Sequence, residues 1–273
     1  MVTTEAFAPA KINLTLHVTG QRSDGYHLLD SYVVFADVGD TVRVTRAEEM
    51  ALTVVGPFAE GVPSDETNLC WKAAERFGLP VAIELDKQLP AAAGVGGGSS
   101  DAAAAIRALE QMSGQPVPFD PIVLGADVPV CTVAHAAHMQ GIGDYVLPLF
   151  MEPMHAVLVN PGVPVPTGAV FDALDRKSNP PMEPWPEGGG PDAAVRWLGQ
   201  QRNDLQAPAI ALQPVIGAVL EELAKLAGCQ LARMSGSGAT CFGLFESETA
   251  AANGAATLRD AHPDWWVTNC HLR

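Results

Sequence analysis

The chain has 273 residues, 48% hydrophobic and 17% charged, and its 31 acidic against 16 basic residues give a net charge of −15. This composition is typical of a globular protein whose core needs no disulfides, built as one large or two moderate domains. The negative charge argues against nucleic acid and anionic membrane as partners, because both require a basic surface.

The N-terminal sequence and the cysteines indicate a reducing compartment. MVTTEAFAPA has neither the basic nor the apolar region of a signal peptide, and no apolar run reaches the ~18 residues that span a bilayer. The five cysteines are scattered and form no CxxC pair, which is typical of small buried side chains. We therefore expect a cytoplasmic protein, either a monomer or a homodimer, that acts on a small molecule.

The first half of the chain predicts strands that lead into a glycine-rich segment. Alternation over 7–18 predicts a strand with one apolar face in the core and a polar face that carries Lys11, Asn13, Thr15 and His17. Further strands are predicted at 31–36, 42–44, 52–55 and 81–85, with a helix over 67–77. The glycine segment is followed by a predicted helix over about 101–112 and by a strand–helix segment around GADVPVC (125–131).

The pattern of predicted elements changes after Phe150, and we therefore predict two domains, 1–150 and 151–273. In the second half, we predict a strand at 155–160 and then a short helix with Thr167 as its N-cap. An amphipathic helix is predicted over 214–226, followed by strands on both sides of the turn SGSG. A helix over 248–259 and a last strand near WWVTNC complete the prediction. The Pro/Gly-rich stretch 179–191 predicts a loop. Strands and helices in both halves predict an α/β or α+β protein.

The segment AAAGVGGGSSDAAAA (91–105) is the first candidate site. It fits neither a Walker loop, because no lysine follows Gly98, nor the dinucleotide pattern GxGxxG, because Ser99 stands at the third glycine. A glycine loop between a strand and a helix still favours phosphate, since bare backbone N–H groups and the helix dipole attract anions. Ser99 and Ser100 add hydroxyls that can donate to phosphate or cap the helix. A flexible loop before a packed alanine-rich helix is the alternative at about equal weight.

Three segments occur in an order that resembles a known family. They are PAKINLTLHVTGQRSDGYHLL (9–29), LPAAAGVGGGSSDAAAAIRAL (89–109) and MSGSGATCFGLF (234–245). Together they resemble the three motifs of the GHMP small-molecule kinases. More narrowly, PAKINL, GYH and GADVPVC resemble the 4-diphosphocytidyl-2-C-methyl-D-erythritol kinase branch of that family. Two stretches depart from the pattern: 112–124 is short and interrupted by proline, and 179–191 matches nothing in the family.

The resemblance implies a fold, a reaction and a set of residues. The implied fold has an N-terminal nucleotide-binding domain and a smaller C-terminal α/β domain, with the active site in the cleft between them. The implied reaction is ATP- and Mg²⁺-dependent phosphorylation of the 2-hydroxyl of 4-diphosphocytidyl-2-C-methyl-D-erythritol, a step of isoprenoid precursor synthesis. The ATP-binding residues implied are Asn68, Pro90, Ala91, Ala92, Ala93, Gly94, Val95, Gly96, Gly97, Gly98, Ser99 and Ser100.

Lys11 and Asp127 are the catalytic residues that the resemblance implies, with Asp127 as the general base. An ammonium group near Asp127 would keep the carboxylate ionised and offset charge on the phosphoryl group. Taken alone, Lys11 would be a solvated strand residue, and Asp127 would be a helix cap or an Asx turn.

Asn13, Tyr26 and His27 are the substrate-binding residues that the resemblance implies. Tyr26 offers a ring for stacking on cytosine, and His27 offers a ring nitrogen for the edge of the base. The alternative places Tyr26 in the core. Asn68 is either a helix N-cap or an adenine contact, or both.

For several further residues, the sequence either leaves the role undecided or favours a purely structural role. Asp101 either joins Mg²⁺ or favours the helix start through the dipole, and the residues do not decide between these. His135 and His138 lack a third ligand, so we expect surface residues and no metal site there. Ser235–Gly238 predict a tight turn, which in the family also reaches the cleft.

Two other functions are compatible with these features. One is a kinase of the same fold for another small alcohol, such as homoserine or mevalonate. The other is a metabolite sensor on a kinase scaffold, which would bind ATP without turnover. The presence of both Lys11 and Asp127 argues against the sensor, because a degenerate kinase would be expected to lose one of them.

Overall fold

A computed structural model describes residues 2–91, 93–186 and 190–273. Its strands are β1 (Thr3–Asn13), β2 (His17–Gln21), β3 (His27–Arg46), β4 (Ala51–Val55), β5 (Val81–Asp86), β6 (Ala137–Gly141), β7 (Tyr145–Pro148), β8 (Met154–Asn160), β9 (Cys229–Met234), β10 (Cys241–Phe245) and β11 (Trp266–Leu272). Its α-helices are α1 (Leu69–Phe77), α2 (Gly97–Ser113), α3 (Val128–Val133), α4 (Thr167–Asp172), α5 (Gly190–Gln200), α6 (Gln206–Leu212), α7 (Val215–Lys225) and α8 (Glu248–Ala261), and a 3₁₀ helix covers Pro121–Leu124. This mixture confirms the predicted α/β class.

The chain forms two compact units, and neither is a single continuous piece. The first unit contains Met1–Lys11, Val38–Ala91 and Gly96–Ala134; the second contains Ile12–Asp37, Ala92–Val95 and His135–Arg273. Both β1 and β3 therefore contribute residues to each unit. The predicted domain limits at residue 150 stay a prediction.

The first unit consists of a small sheet and the helices that pack with it. The second part of β3 pairs antiparallel with β5, and β4 runs parallel to β5. Val81, Ile83 and Leu85 of β5 are buried, as the alternation predicts for a strand with one face in the core. Helix α2 packs against α1 and α3, and an unbroken run of buried alanines in α2, 102–105, allows these helices to approach closely.

The second unit is built around an antiparallel sheet with the order β11-β8-β10-β9. Helix α7 packs on β9 and β10, and α8 packs on β8 and β11. As the amphipathic pattern predicts, Ile216, Val219 and Leu223 of α7 are fully buried in this core. In the same unit, β2 and β6 pair with the first part of β3, and β7 pairs with β6.

Four predictions about secondary structure are wrong in detail. The strand predicted over 7–18 is split into β1 and β2, because Leu16 instead donates its N–H to Arg202 O at 3.0 Å. The helix predicted from 101 begins at Gly97. Around GADVPVC there is a 3₁₀ helix and then α3, with no strand, since prolines interrupt any ladder. Thr167 is the first residue of α4 and not its cap; the cap position is Pro166.

The sequence pattern also missed elements. Strands β6 and β7 and helices α5 and α6 were not predicted. Helix α5 begins at Gly190, inside the stretch 179–191 that was predicted as a loop; residues 179–186 have no regular secondary structure, and 187–189 lie outside the described residues.

The cysteines confirm their interpretation as small core residues. All five are free thiols, and Cys70, Cys131, Cys241 and Cys270 are buried. Burial raises the pKa of the Cys131 thiol to about 12, which keeps it neutral. No helix in the described part of the chain is long and apolar enough to cross a membrane.

Candidate active site

The start of helix α2 exposes backbone N–H groups where the glycine segment predicts them. Gly96 is the N-cap residue, with φ of 63° and no side chain to cap the helix. The N–H of Ser100 bonds to Gly96 O at 2.8 Å, so the N–H groups of Gly97, Gly98 and Ser99 precede the helical ladder. These three N–H groups have no hydrogen-bond partner among the described residues, and such groups at the positive end of a helix dipole favour an anion.

The two serines in the first turn of α2 differ in what their hydroxyls can do. Ser100 is fully buried, and its hydroxyl donates to Pro9 O at 2.7 Å. Ser99 is partly exposed. Of the two hydroxyls proposed for phosphate, the one at the surface is therefore that of Ser99, while Ser100 ties the helix start to β1.

Lys11 and Asp127 form an ion pair beside this helix start. Lys11 Nζ lies 2.7 Å from Asp127 Oδ2, and the Lys11 side chain is 4% exposed whereas that of Asp127 is 38% exposed. A methyl group at Gly96 would come within 3.1 Å of Lys11 Cε, so the lysine stem packs directly on Gly96. The first unit thus brings a cation, an accessible carboxylate and the start of α2 together.

The surroundings of Lys11 and Asp127 differ from what their sequence positions alone suggest. The predicted polar face of β1 is not solvated, because Lys11, Asn13, Thr15 and His17 are all buried. Asp127 stands at the N-cap position of α3 but makes no side-chain cap hydrogen bond. Its carboxylate is thus left to face Lys11 and solvent, as a proton acceptor requires.

Asp101 does not lie where a metal ion could reach it. Its carboxylate is buried and pairs with Lys87 Nζ at 2.8 Å, and the same ammonium also bonds to Asp40. This three-residue cluster was missed by the sequence analysis, although a lysine four residues before the glycine segment was a signal for it. Among the described residues, no group of three or more metal-ligating side chains is found.

Asn68 has the capping role that the sequence offered as one of its two alternatives. Its Oδ1 accepts the N–H of Cys70 at 2.8 Å, and its Nδ2 donates to Pro63 O at 2.8 Å. A methyl group at Gly98 would lie 4.0 Å from the neighbouring Leu69 side chain. Asn68 therefore begins a helix that flanks the start of α2, and its contact with adenine stays a prediction.

In the second unit, Asn13 is connected to the glycine segment through the SGSG turn. Asn13 Nδ2 donates to Ser31 Oγ at 2.8 Å, and its backbone N–H donates to Ser235 Oγ at 3.0 Å. Ser235 Oγ in turn donates to Gly94 O at 3.0 Å. A side chain at Gly94 would lie 2.6 Å from Ser235 O, so only glycine allows this approach.

Tyr26 and His27 lie at the turn between β2 and β3. Tyr26 is 60% exposed, which excludes the alternative of a core tyrosine. The ring of His27 stacks on Phe171 with centroids 4.7 Å apart, and its Nε2 is buried without a partner in the described residues. Burial and then Lys177 lower the pKa of His27, so the ring is neutral and can donate or accept a hydrogen bond. Phe171 is a further aromatic residue that the sequence analysis missed.

The remaining predicted residues are placed as follows. Pro90 directly precedes the glycine segment and Ala91 is its first residue, and Ala93 O accepts the N–H of Thr240 at 3.0 Å. Val95 is buried. Ala92, also predicted to bind ATP, lies outside the described residues.

The two histidines considered for a metal have different surroundings. His135 is exposed, as predicted. The interpretation of His138 as a plain surface residue is wrong, because its ring bonds to the buried carboxylate of Asp30.

Two family models match this chain: the GHMP kinases N-terminal domain over residues 68–146 and the GHMP kinases C-terminal model over 192–264. The chain belongs to the GHMP kinase family. Kinases of this family are ATP-dependent, which supports ATP as the donor that the start of α2 would hold. The N-terminal match covers the first turn of α2 and Asp127, and the C-terminal match covers the SGSG turn.

Relatives and solved structures place the chain in one branch of the family. It is 57% identical over 270 residues to the 4-diphosphocytidyl-2-C-methyl-D-erythritol kinase of Dinoroseobacter shibae, covering 98% of this chain and 94% of that one. A crystal structure of 4-(cytidine 5'-diphospho)-2C-methyl-D-erythritol kinase matches with a TM-score of 0.80 and 33% identity over 98% of both chains. The branch suggested by PAKINL, GYH and GADVPVC is confirmed.

A third comparison shows the fold alone. The homoserine kinase of Cytophaga hutchinsonii matches with a TM-score of 0.68 over 98% of this chain and 94% of that chain, but only 16% of the residues are identical.

Proposed function

We propose that this GHMP kinase transfers the γ-phosphoryl group of ATP to the 2-hydroxyl of 4-diphosphocytidyl-2-C-methyl-D-erythritol. The observation that carries the proposal is the Lys11–Asp127 ion pair at 2.7 Å beside the free N–H groups of α2. The relatives at up to 57% identity support this acceptor over homoserine or mevalonate.

Asp127 acts as the general base in this proposal. Its carboxylate takes the proton of the acceptor hydroxyl while the oxygen forms a bond to the γ-phosphorus and the bond from that phosphorus to ADP breaks. Its 38% exposure allows a substrate hydroxyl to reach it.

Lys11 has an electrostatic role beside the base. The ammonium lies 2.7 Å from the carboxylate and fixes its position beside the start of α2. It also stabilises negative charge on the transferring phosphoryl group. Because the lysine stem is packed on Gly96, the cation is held in position before the substrates bind, which reduces the reorganisation that the reaction requires.

The first turn of α2 is assigned to the triphosphate. Its free N–H groups and the Ser99 hydroxyl supply donors, so a protein with a net charge of −15 can still hold a polyanion locally. The contributions of the other predicted ATP-binding residues, Asn68 included, are part of this proposal.

Mg²⁺ is proposed to accompany the nucleotide. Magnesium is usually bound through one or two carboxylates together with substrate phosphates and waters. Asp101 does not fit as a ligand, because its carboxylate is buried against Lys87. We therefore assign the ion no dedicated ligand from this chain, and the triphosphate oxygens would be its main partners.

The acceptor is assigned to residues of the second unit. Tyr26 offers an exposed ring for stacking on cytosine, and His27 offers the unpartnered Nε2 to its hydrogen-bonding edge. Asn13 is proposed to position the polyol. The division of the chain into an ATP-binding portion over 1–150 and a second portion over 151–273, and a cytoplasmic location, are retained as proposals.

Release of ADP by the purified protein tests the function. We expect turnover with 4-diphosphocytidyl-2-C-methyl-D-erythritol and at least about 10²-fold lower kcat/KM with homoserine and with mevalonate, because a site built to pair with a polar group rejects analogues that lack it. Preferred turnover of mevalonate or homoserine would overturn the proposed acceptor. Binding of ATP without turnover of any alcohol would instead favour a sensor.

A further inference from the structure

The buried charges beneath the first turn of α2 are not explained by the reaction itself. Lys87 lies just after the end of β5, Asp40 lies in β3 and Asp101 lies in α2, and all three side chains are at most 5% exposed. No substrate can touch a group buried to this extent, so any role must act through the backbone or through charge.

The cluster joins the two parts of the chain on either side of the glycine run 94–98. Asp40 Oδ1 accepts the N–H groups of Gln88 at 2.6 Å and Leu89 at 2.8 Å, which lead into the run. Lys87 Nζ bonds to Asp101 Oδ2 at 2.8 Å in the helix that leaves it. Lys87 therefore connects the entry and the exit of the run.

The same cluster lies against the proposed anion site. A methyl group at Gly97 would lie 3.5 Å from Lys87 Nζ, and Gly97 contributes one of the free N–H groups of α2. A charge in the cluster would therefore interact electrostatically with a triphosphate bound at this site. No bulk water separates the two, so the interaction is weakly screened.

The cluster contains one positive group and two carboxylates, so it has a surplus negative charge when both are ionised. Asp101 Oδ1 is buried without a hydrogen-bond partner in the described residues. A buried ionised oxygen without a partner is unfavourable, and a protonated carboxyl group removes this cost.

We propose that the Lys87–Asp40–Asp101 cluster is a positioning element of the phosphate site that holds ATP best when Asp101 carries a proton. The inference rests on the proposed binding of ATP at the first turn of α2. Protonation makes the cluster neutral, whereas ionised Asp101 places a negative charge beneath the triphosphate.

The surroundings of Asp101 support this protonation near neutral pH. Burial raises the pKa of Asp101 to about 7, against the opposing effect of Lys87 and with further support from Asp40. Burial lowers the pKa of Lys87, but the charges of Asp101 and Asp40 outweigh this and raise the pKa overall, so the ammonium stays charged. Cys70 of α1 and Cys131 of α3 also face this region, and burial raises both thiol pKa values, so neither titrates.

Calorimetric titration with the β,γ-imido analogue of ATP tests the proposal. The bound anion disfavours ionised Asp101, so binding of the analogue near pH 7 should raise the pKa of Asp101. The wild-type protein should therefore take up about a third of a proton more on binding than Asp101→Asn does. Between pH 6 and pH 8, we expect the Kd of the wild type to weaken about fivefold relative to that variant. The titration of the nucleotide itself is common to both proteins and cancels in the ratio.

Glu75→Gln is the matched control. It removes the same charge from an exposed position on α1 in the same unit, and it should keep the wild-type pH profile. In steady-state assays, the pH dependence that Asp101→Asn abolishes should lie in KM for ATP and not in kcat, which separates a charge effect from a general loss of structure.

The outcomes separate the inference from the function on which it rests. Equal proton uptake and parallel Kd profiles in the wild type and Asp101→Asn would overturn the role of the cluster while ATP binding stands. Absence of analogue binding by the wild type at every pH would overturn the proposed function instead. If Asp101→Asn does not fold, a wild-type Kd that does not weaken from pH 6 to pH 8 once it is corrected for the titration of the free nucleotide would still overturn the inference.

Discussion

Two lysines lie beside the start of helix α2, each paired with aspartate, and their surroundings give them opposite roles. Lys11 meets Asp127, a carboxylate that is 38% exposed, whereas Lys87 meets Asp40 and Asp101, which are 0% and 5% exposed. Both ammonium groups are equally buried, at 4% exposure. What distinguishes the pairs is the carboxylate, since only one that reaches solvent can exchange a proton with a substrate.

The difference also predicts how each pair responds to loss of its cation. Asp127 can be hydrated when Lys11 is removed, so the structural cost is small. When Lys87 is removed, the buried carboxylate of Asp40 would lose its cation and Asp101 would be held in its protonated form, and the cost of the unpaired buried charge is large. Activity should therefore depend on the first pair and stability on the second.

Asp127→Asn should give the largest effect. The amide keeps the shape of the side chain but cannot accept the proton, so kcat for ADP release should fall by about 10²–10⁴-fold. Binding of the ATP analogue and the urea midpoint should be nearly unchanged. Asp120→Asn, which preserves a cap on an exposed turn, is the control. A kcat equal to that of the wild type would remove Asp127 from the proposed role.

Lys87→Met should give the largest loss of stability. It leaves two buried carboxylates without a cation, which we expect to lower the free energy of unfolding by about 3–5 kcal/mol. Urea denaturation followed by circular dichroism measures the change. The double variant Lys87→Met/Asp101→Asn should recover little of the loss, because Asp101 is already protonated without Lys87 and the buried charge of Asp40 remains. A single variant as stable as the wild type would contradict the distinction between the two pairs.

Lys11→Met should reverse this pattern. We expect kcat to fall by about 10²-fold through loss of charge stabilisation, with a change in unfolding free energy below about 1 kcal/mol. Lys72→Met, at a partly exposed lysine of α1, is the matched control and should change neither quantity. The comparison fails if Lys11→Met unfolds as readily as Lys87→Met does.

The sequence predicted the composition of the first pair but not of the second. Lys11 and Asp127 were found through their motifs, and the glycines marked the helix start. Burial of Lys11 was not predicted. The alternation of polar and apolar residues in β1 shows which residues share a face of the strand, but it does not show whether other parts of the protein cover the polar face. The Lys87–Asp40–Asp101 cluster brings together residues up to 61 positions apart, from Asp40 to Asp101, and no local pattern reports such a contact.

The start of α2 shows a second limit of prediction from sequence. Glycine is a poor helix former, so the helix was predicted to begin after the glycines, at about residue 101. In the structure it begins at Gly97 because Ser100 is bonded to Pro9 O and Lys11 packs on Gly96. Tertiary contacts override propensity there, and two of the three N–H groups that precede the helical ladder belong to glycines.

The smallest predicted effect concerns pH and the stability of the second pair. The pKa of Asp101 is about 7 in the folded protein, well above that of an unfolded aspartate, so the folded state binds the extra proton between about pH 4 and pH 7. Stability from this group is therefore complete at the acid end of that window and is lost as pH rises through 7. Urea titrations at pH 5 and pH 8 should show Asp101→Asn gaining about 2–3 kcal/mol relative to the wild type, because about 1.4 kcal/mol is lost for each of the two pH units below the folded pKa. Asp127→Asn, measured in parallel, should show no such gain if an accessible carboxylate and a buried one differ as proposed.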